Sequence, residues 1–352
     1  LAVGRDNHAP EYEERAGVLI HRCFHKEESY HNKTAQVILS LVKRYNINLI
    51  EGADHLGCTA SLFSCFSCPI RPPVVIKCHS CSILHAAHER AHALYPWQKC
   101  FIRLARLRAR RQAGAERASI EKADVLTAPS KAIFDEMAAQ GLNVPARQEV
   151  IPNPIKAAKV FSDNEAERPR LLFIGRLDIG KGIQYLPLIL RDVISRFPDL
   201  SLEIVGDDSY ARGLGSLKEW LKKQFGRYEK HVVWSGYLTD QEVQAALQRT
   251  WLVIVPSRWD TFPTVLLETM AHAKAAVVSD KGGIPEMVSG TEIPVCSPEK
   301  NVFTQHIIEL LQYPEKRKRV GMTGYHKIVT SFLPKTVVDK YIQMAEGILS
   351  SC

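Results

Sequence analysis

The sequence predicts an α/β protein of two doubly wound domains with parallel sheets, on three observations. From residue 35 onward, short β-branched apolar runs alternate with longer amphipathic stretches, the rhythm of repeated βα units. That rhythm pauses once, in the polar stretch "IKAAKVFSDNEAERP" (155–169), and then restarts. A length of 352 residues suits about two domains and needs neither crosslinks nor metals to sustain a core. The expected divisions are a first domain over 1–158, a second over 159–334, and an amphipathic helix over 335–352 that packs back toward the first.

Taken in order, the expected strands of the first half are "NLIEG" (48–52), "PVVIKC" (73–78), "DVLTAP" (124–129) and "QEVIPN" (148–153). The second half offers "RLLFIG" (170–175), "LSLEIVG" (200–206), "HVVWSG" (231–236), "WLVIVP" (251–256), "AAVVSD" (275–280) and "EIPVC" (292–296). Helical stretches fill most of the gaps between them.

Composition narrows the function classes. Hydrophobic residues at 45% and charged residues at 24% exclude disordered, collagenous and coiled-coil chains. No apolar run reaches the roughly 18 residues of a membrane span. Nine cysteines without a secretory leader read as reduced thiols, so a cytoplasmic protein is expected. The net charge of +8 is one-sided: residues 1–160 hold 22 basic and 15 acidic side chains. Such a field favours an anionic partner. Part of it lies in "KCFIRLARLRARRQAG" (99–114), where five arginines interleave with Phe101, Ile102, Leu104 and Leu107: a basic helix with an apolar stripe that can lie on an anionic inner membrane face or be an ordinary helix with a solvated face. Nucleic acid is not expected, because no aromatic interleaving or known binding module accompanies the charge.

In open parallel sheets, ligands sit outside the carboxyl ends of the strands, so residues just after a strand carry the chemistry. After "RLLFIG" come Arg176 and Lys181, in "GRLDIGKG" opening a helix, where two cations beside free N–H groups make an anion site. After "WLVIVP" come Asp260, Pro263 as a first-turn proline, and Glu268 inside the helix, with the N–H groups of Thr264 and Val265 facing the same crevice. After "AAVVSD" come Gly282 and Gly283, which permit close backbone approach, and Glu286 in a first helical turn. Three such sites at one sheet edge suit a ligand that carries both phosphate and sugar hydroxyls.

Two other motifs compete. "HERAH" (88–92) fits the H-E-x-x-H zinc-hydrolase pattern, with Glu116 or Glu121 as a further ligand. Cys65, Cys68, Cys78 and Cys81 have the spacing of a zinc ribbon, but the second pair straddles the end of a buried strand, which favours free thiols.

The strings "FIGRLDIGKG", "LEIVGDD", "WSGYL", "PSRWDTFPTVLLETMA" and "SDKGGIPEMV" resemble, in order and spacing, glycosyltransferase family 4. "VIKCHS", "ADVLTAPSKAI" and "VIPNPI" extend the likeness into the first half. The resemblance implies a GT-B fold of two facing Rossmann-like domains and a retaining glycosyl transfer from a nucleotide-diphosphate sugar. The donor would be a UDP- or GDP-sugar, and the acceptor a hydroxyl of a glycan, a lipid-linked glycan or a small molecule. No metal and no further cofactor are implied. Arg176 and Lys181 would hold the diphosphate, with Gly175 and Gly283 close by. Glu268 would accept from the ribose, Thr264 and Val265 would offer backbone donors, and Tyr237 would border the base. Asp260 and His79 would stand at the transferred sugar as the catalytic pair. Asp260 occupies the place where the family usually has the first glutamate of its E-x7-E motif. Pro263 replaces a frequent glycine, and Ala273, Ala275 and Ala276 replace a commoner Gly…Pro-Val pattern. The family opens with a strand, a glycine-rich turn and a helix, whereas "LAVG" here resembles the end of the second strand, so the first domain is expected to be incomplete. The other expectations are a zinc-dependent hydrolase, or a catalytically silent nucleotide-sugar- or glycan-binding protein.

Overall fold

The computed structural model describes residues 2–4, 12–15, 17–22, 27–54, 59–65, 71–79, 81–91, 94–95, 113–158, 165–211 and 213–351. A small sheet comes first: β1 (Ala2–Gly4) lies parallel to β3 (Val18–Arg22), and β2 (Tyr12–Arg15) pairs antiparallel with β3. This hairpin is not among the sequence expectations, since the charges of "YEER" hide the alternation of a strand.

The first domain continues through α1 (Glu27–Tyr45), β4 (Ile50–Ala53), α2 (Ala60–Cys65), β5 (Val74–Lys77), α3 (Ser82–Ala91), α4 (113–121), β6 (Val125–Ala128), α5 (Lys131–Ala139) and β7 (Gln148–Val150). Strands β4, β5, β6 and β7 form a parallel sheet in that order. Alternation along β5 sends Val74 and Ile76 into a core with Leu62, Leu84, Leu126 and Ile133, and sends Val75 to the opposite face.

The second domain runs through β8 (Arg170–Ile174), α6 (Leu186–Ile194), β9 (Ser201–Val205), a short hairpin of β10 (Tyr210–Ala211) and β11 (Gly215–Ser216), α7 (Leu217–Phe225) and β12 (Val232–Gly236). It continues with α8 (Asp240–Arg249), β13 (Leu252–Val255), α9 (Thr264–Ala271), β14 (Ala276–Val278), α10 (Ile284–Met287), α11 (Asn301–Gln312) and α12 (Pro314–Lys327). The segment expected as a strand at 292–296 contributes a single parallel bridge, Val278 to Val295.

Its parallel sheet has the order β12-β9-β8-β13-β14. The first strand, β8, is therefore central. The chain winds outward through β9 and β12, then returns to lay β13 and β14 on the other side. The direction of winding reverses between β8 and β13, and a crevice opens beyond the carboxyl ends of those two strands.

The chain crosses between domains at 151–158 and returns at 328–334. The crossings touch: Ile155 N donates to Phe332 O at 2.9 Å, and the Phe332 ring meets Phe262 edge-on at 5.6 Å between centroids. The return includes one π turn at Ile328–Phe332, before α13 (Pro334–Leu349). Helix α13 lies on the first domain, where Val337, Met344 and Ile348 cover Val75, Val125 and Ile151.

Candidate functional site

The loop after β8 is tied down along its length. Gly175 N donates to Val205 O and Leu177 N to Asp207 O, each at 2.9 Å, which lays the loop against the end of β9. Asp178 accepts from Gly180 N at 2.7 Å. The sequence leads one to expect a helix opening within "GRLDIGKG". Instead two 3₁₀ turns, Ile179–Lys181 and Ile183–Tyr185, precede α6, because Gly182 between them sits at φ +79°. That glycine is required twice over. Its φ is left-handed, and a Cβ there would lie 1.8 Å from Pro256 O. With Arg258 N donating to Gly180 O at 2.8 Å, the loops after β8 and β13 are locked together across the reversal point.

Lys181 and Asp260 meet at that point. Lys181 Nζ lies 2.5 Å from Asp260 Oδ2, and the acid is only 9% exposed. Asp260 Oδ1 accepts from Phe262 N at 3.3 Å, and its backbone oxygen accepts from Gly283 N at 2.9 Å. Arg176, one residue past the end of the Gly175 turn, is exposed, and its guanidinium has no partner among the described residues. An exposed, unanswered cation beside an ion-paired one leaves net positive charge at the mouth of the crevice.

Pro263 stands just before α9 (φ −63°, ψ 119°) and not in its first turn as expected, so the helix begins at Thr264. Leu266 N is the first to be taken up, by Pro263 O at 3.1 Å, while the N–H groups of Thr264 and Val265 open the helix without a carbonyl before them. Glu268, in the middle of α9, is half-buried; its backbone oxygen accepts from His272, but its carboxylate has no hydrogen-bond partner among the described residues. Burial, and then the charge of Asp240, push its carboxyl above the ordinary range. Tyr237, just past β12, is 71% exposed. On the first domain His79 follows β5 with its backbone N donating to Asp54 Oδ2 at 3.1 Å. Its ring stands at the surface, yet the surrounding protein and then Lys77 hold its pKa below the usual value.

Gly283 and Glu286, which follow β14, stand where the second domain meets the first. Gly283 sits under the first domain, where a Cβ would meet Thr261 O at 2.0 Å and Ser130 Oγ at 2.4 Å. Glu286 accepts from Lys131 N at 2.7 Å and Ala132 N at 2.8 Å, the first donors of α5, so its carboxylate is already engaged. Sequence reasoning also misses Trp259, which stacks on His88 of α3 with centroids 4.5 Å apart. Nothing in the spacing announces that contact, since its two residues lie in different domains.

The metal expectations find no support. Among the described residues no three His, Cys, Asp or Glu side chains converge. In "HERAH", His88 faces Trp259 and Glu136, and His92 lies outside the described residues. Glu116 accepts from Ser82 N and Oγ, and Glu121 from Arg117 and Asn143 N, so both further ligands are occupied. Cys78 and Cys81 are buried free thiols. Burial pushes both thiols up, that of Cys81 to about 11, which makes them inert. Cys65 ends α2, and Cys68 and residues 99–112 lie outside the described residues. No helix among the described residues is long and apolar enough to cross a membrane.

Comparison with known proteins places this arrangement. Residues 155–327 match the family Glycosyl transferases group 1, and residues 1–159 match Glycosyltransferase Family 4. A glycogen synthase of Mycobacterium tuberculosis is 27% identical over 238 residues, which are 64% of this chain and 54% of that protein. The chain thus spans about half the length of that relative. Among solved structures, a sucrose-phosphate synthase from Thermosynechococcus elongatus superposes with a TM-score of 0.73 at 16% identity, over 99% of this chain and 89% of the other. The Anabaena protein HepE in complex with UDP and glucose gives a TM-score of 0.65 at 18% identity, over 96% of this chain and 87% of the other. These likenesses establish the GT-B fold. The two family matches overlap at 155–159 and together span residues 1–327 and both domains, and the chain is a glycosyltransferase of the family 4 type.

Proposed function

We propose that the protein is a retaining glycosyltransferase that takes a sugar from a UDP- or GDP-sugar, held by the second domain, and delivers it to a hydroxyl acceptor on the first. The observation that carries this reading is the set of charges at the reversal point of the second sheet: a Lys181–Asp260 pair with, among the described residues, an unpaired Arg176 and an unpaired, half-buried Glu268 carboxylate around one helix start. Those groups match the parts of a nucleotide sugar. Arg176 and Lys181 answer a diphosphate, and Glu268 accepts from vicinal hydroxyls of a ribose. Tyr237 presents an aromatic face to a base.

As the sugar's C–O bond to the phosphate lengthens, negative charge gathers on the leaving phosphate. Arg176, Lys181 and the N–H groups of Thr264 and Val265 stabilise it from fixed positions, and each charge-assisted hydrogen bond contributes roughly 1.5–3 kcal/mol. With two cations in place, no metal is needed for that step. Asp260, held by Lys181 and the Phe262 N–H, faces the positive charge that develops on the sugar ring, and His79 approaches from the first domain. Retention of configuration requires the acceptor to arrive on the face from which the phosphate departs, so the departing oxygen is the candidate base. The acceptor belongs to the glycan, lipid-linked or small-molecule hydroxyl class. The basic stretch at 99–114 would bring the enzyme to an anionic membrane from the cytoplasmic side.

Calorimetric titration with UDP and with GDP, each with and without EDTA, tests the reading. The expected result is micromolar binding of one nucleotide, unchanged by EDTA. Binding of neither would overturn the donor site, and binding abolished by EDTA would overturn the metal-free mechanism.

A further inference from the structure

Asp260 is gripped from two domains. Within its own domain it is held by Lys181 and by the N–H groups of Phe262 and Gly283. Its neighbours on either side both reach the first domain: Trp259 stacks on His88 at 4.5 Å, and Thr261 O accepts from Ser130 Oγ at 2.9 Å. Ser130 is the residue before α5, and the first two N–H groups of α5 donate to Glu286 of the second domain. Gly283 makes this approach sterically feasible, since any larger residue would push Ser130 and Thr261 apart.

We infer that Glu286 is a positioning residue: by capping α5 across the domain boundary it docks the first domain on the loop 259–261 and so fixes Asp260 relative to His79. A carboxylate at a helix N-terminus answers both the free donors and the positive end of the helix dipole. Ser130 leaves that role open, because its own side chain donates to Thr261 instead of capping α5. Glu286 is exposed, so its two bonds are screened and the docking is reversible. The inference uses the donor reading only in treating Asp260 as part of the reacting site.

The test compares the full chain with Glu286→Ala and Lys131→Pro by small-angle scattering and by titration with UDP and GDP. Lys131 is the first residue of α5, where proline is tolerated, and Ser130 already has the extended backbone that proline demands of the residue before it (φ −147°, ψ 155°). That variant removes one donor from the contact without touching the second domain. Both variants should enlarge the radius of gyration beyond the roughly 20 Å of a compact chain this long, by about 1 Å for Glu286→Ala and less for Lys131→Pro. Both should bind nucleotide within about twofold of the unaltered chain, and the double variant should expand no further than Glu286→Ala alone. An unchanged radius in Glu286→Ala overturns the inference. So does a tenfold or greater loss of nucleotide affinity, which would make Glu286 a donor ligand. If Glu286→Ala fails to fold, Lys131→Pro decides the matter by the same criteria. Failure of the unaltered chain to bind either nucleotide would sink the donor reading, and scattering would still decide the docking.

Discussion

The two ends of the strands in the second sheet treat charge in opposite ways. Toward the starting ends of β8 and β13, Glu203 of β9 is 1% exposed and fully answered: Arg170, Arg249 and Ser235 all donate to it. Burial pushes its carboxyl up, but the bonds from Arg249 and Ser235 and the two arginine charges more than offset this, leaving its pKa below the ordinary range. At the carboxyl ends, among the described residues, Arg176 is unanswered, and Glu268 is raised by burial with no cation to lower it. One end spends its charges on the fold, and the other leaves them for a ligand. Perturbation of a carboxylate marks a functional site only when the partner that would relieve it is missing.

The contrast can be broken most violently at the paired end. Glu203→Ala leaves two arginines without their buried partner and should cost about 3 kcal/mol, read as a lowered denaturation midpoint, with nucleotide affinity unchanged in the folded fraction. Because the folded pKa of Glu203 is depressed, its stabilisation is present above the ordinary carboxylate pKa and is lost as pH falls through the folded value. Gly182→Ala should cost about 2 kcal/mol through its left-handed φ and its approach to Pro256 O, and should also weaken nucleotide binding by displacing Lys181. An unchanged affinity there would separate the loop from the ligand.

Arg176→Ala sharpens the other side of the contrast. It should lower nucleotide affinity by roughly 10- to 100-fold, the equivalent of one charge-assisted bond, while the melting temperature stays put. A fall in melting temperature would mean that Arg176 is structural after all. Glu268→Gln should weaken nucleotide binding yet raise stability at neutral pH by less than about 1 kcal/mol, since the side chain keeps part of its contact with solvent. The sign is the reverse of that at Glu203. A raised folded pKa means that the favourable contribution exists at low pH and is lost as pH rises through the folded value, so the variant's advantage should vanish in acid. The smallest effect belongs to Ala273, which closes α9 in a Schellman turn at φ 53°, with Ala273 N donating to Met270 O and Lys274 N to Thr269 O. Ala273→Gly relieves roughly 1 kcal/mol of strain and adds nearly as much chain entropy, so the unfolding free energy should change by less than about 0.5 kcal/mol.

The central strands of both large sheets are legible in the sequence because they are buried on both faces, and runs such as "VVIK" and "LVIV" have no polar alternation to blur them. The donor edge is legible for a related reason: once strand ends are known, topology brings Lys181 and Asp260 together. What the sequence hides are contacts between domains. Glu286 reads as a ligand-binding acid or as a dipole-favoured helix start, because an acid in a first turn serves either purpose as readily as it serves a neighbouring helix. Only the position of α5 tells the two apart. The hairpin at 12–22 is hidden by its own charges, and the strand at 292–296 shrinks to one bridge, with Val278 N donating to Pro294 O and Cys296 N to Val278 O.

Helix α13 has a consequence for the order in which the molecule assembles. The residues that cover Val75, Val125 and Ile151 are made after the whole second domain, although the strands they cover are made before it. The second domain is contiguous in the chain and can close while it is being made. The first domain must hold one face of its sheet open to solvent until residues 334–349 arrive, so translation order and completion order are inverted. During that interval the nascent sheet presents a bare apolar face, which is the kind of surface that holdase chaperones bind.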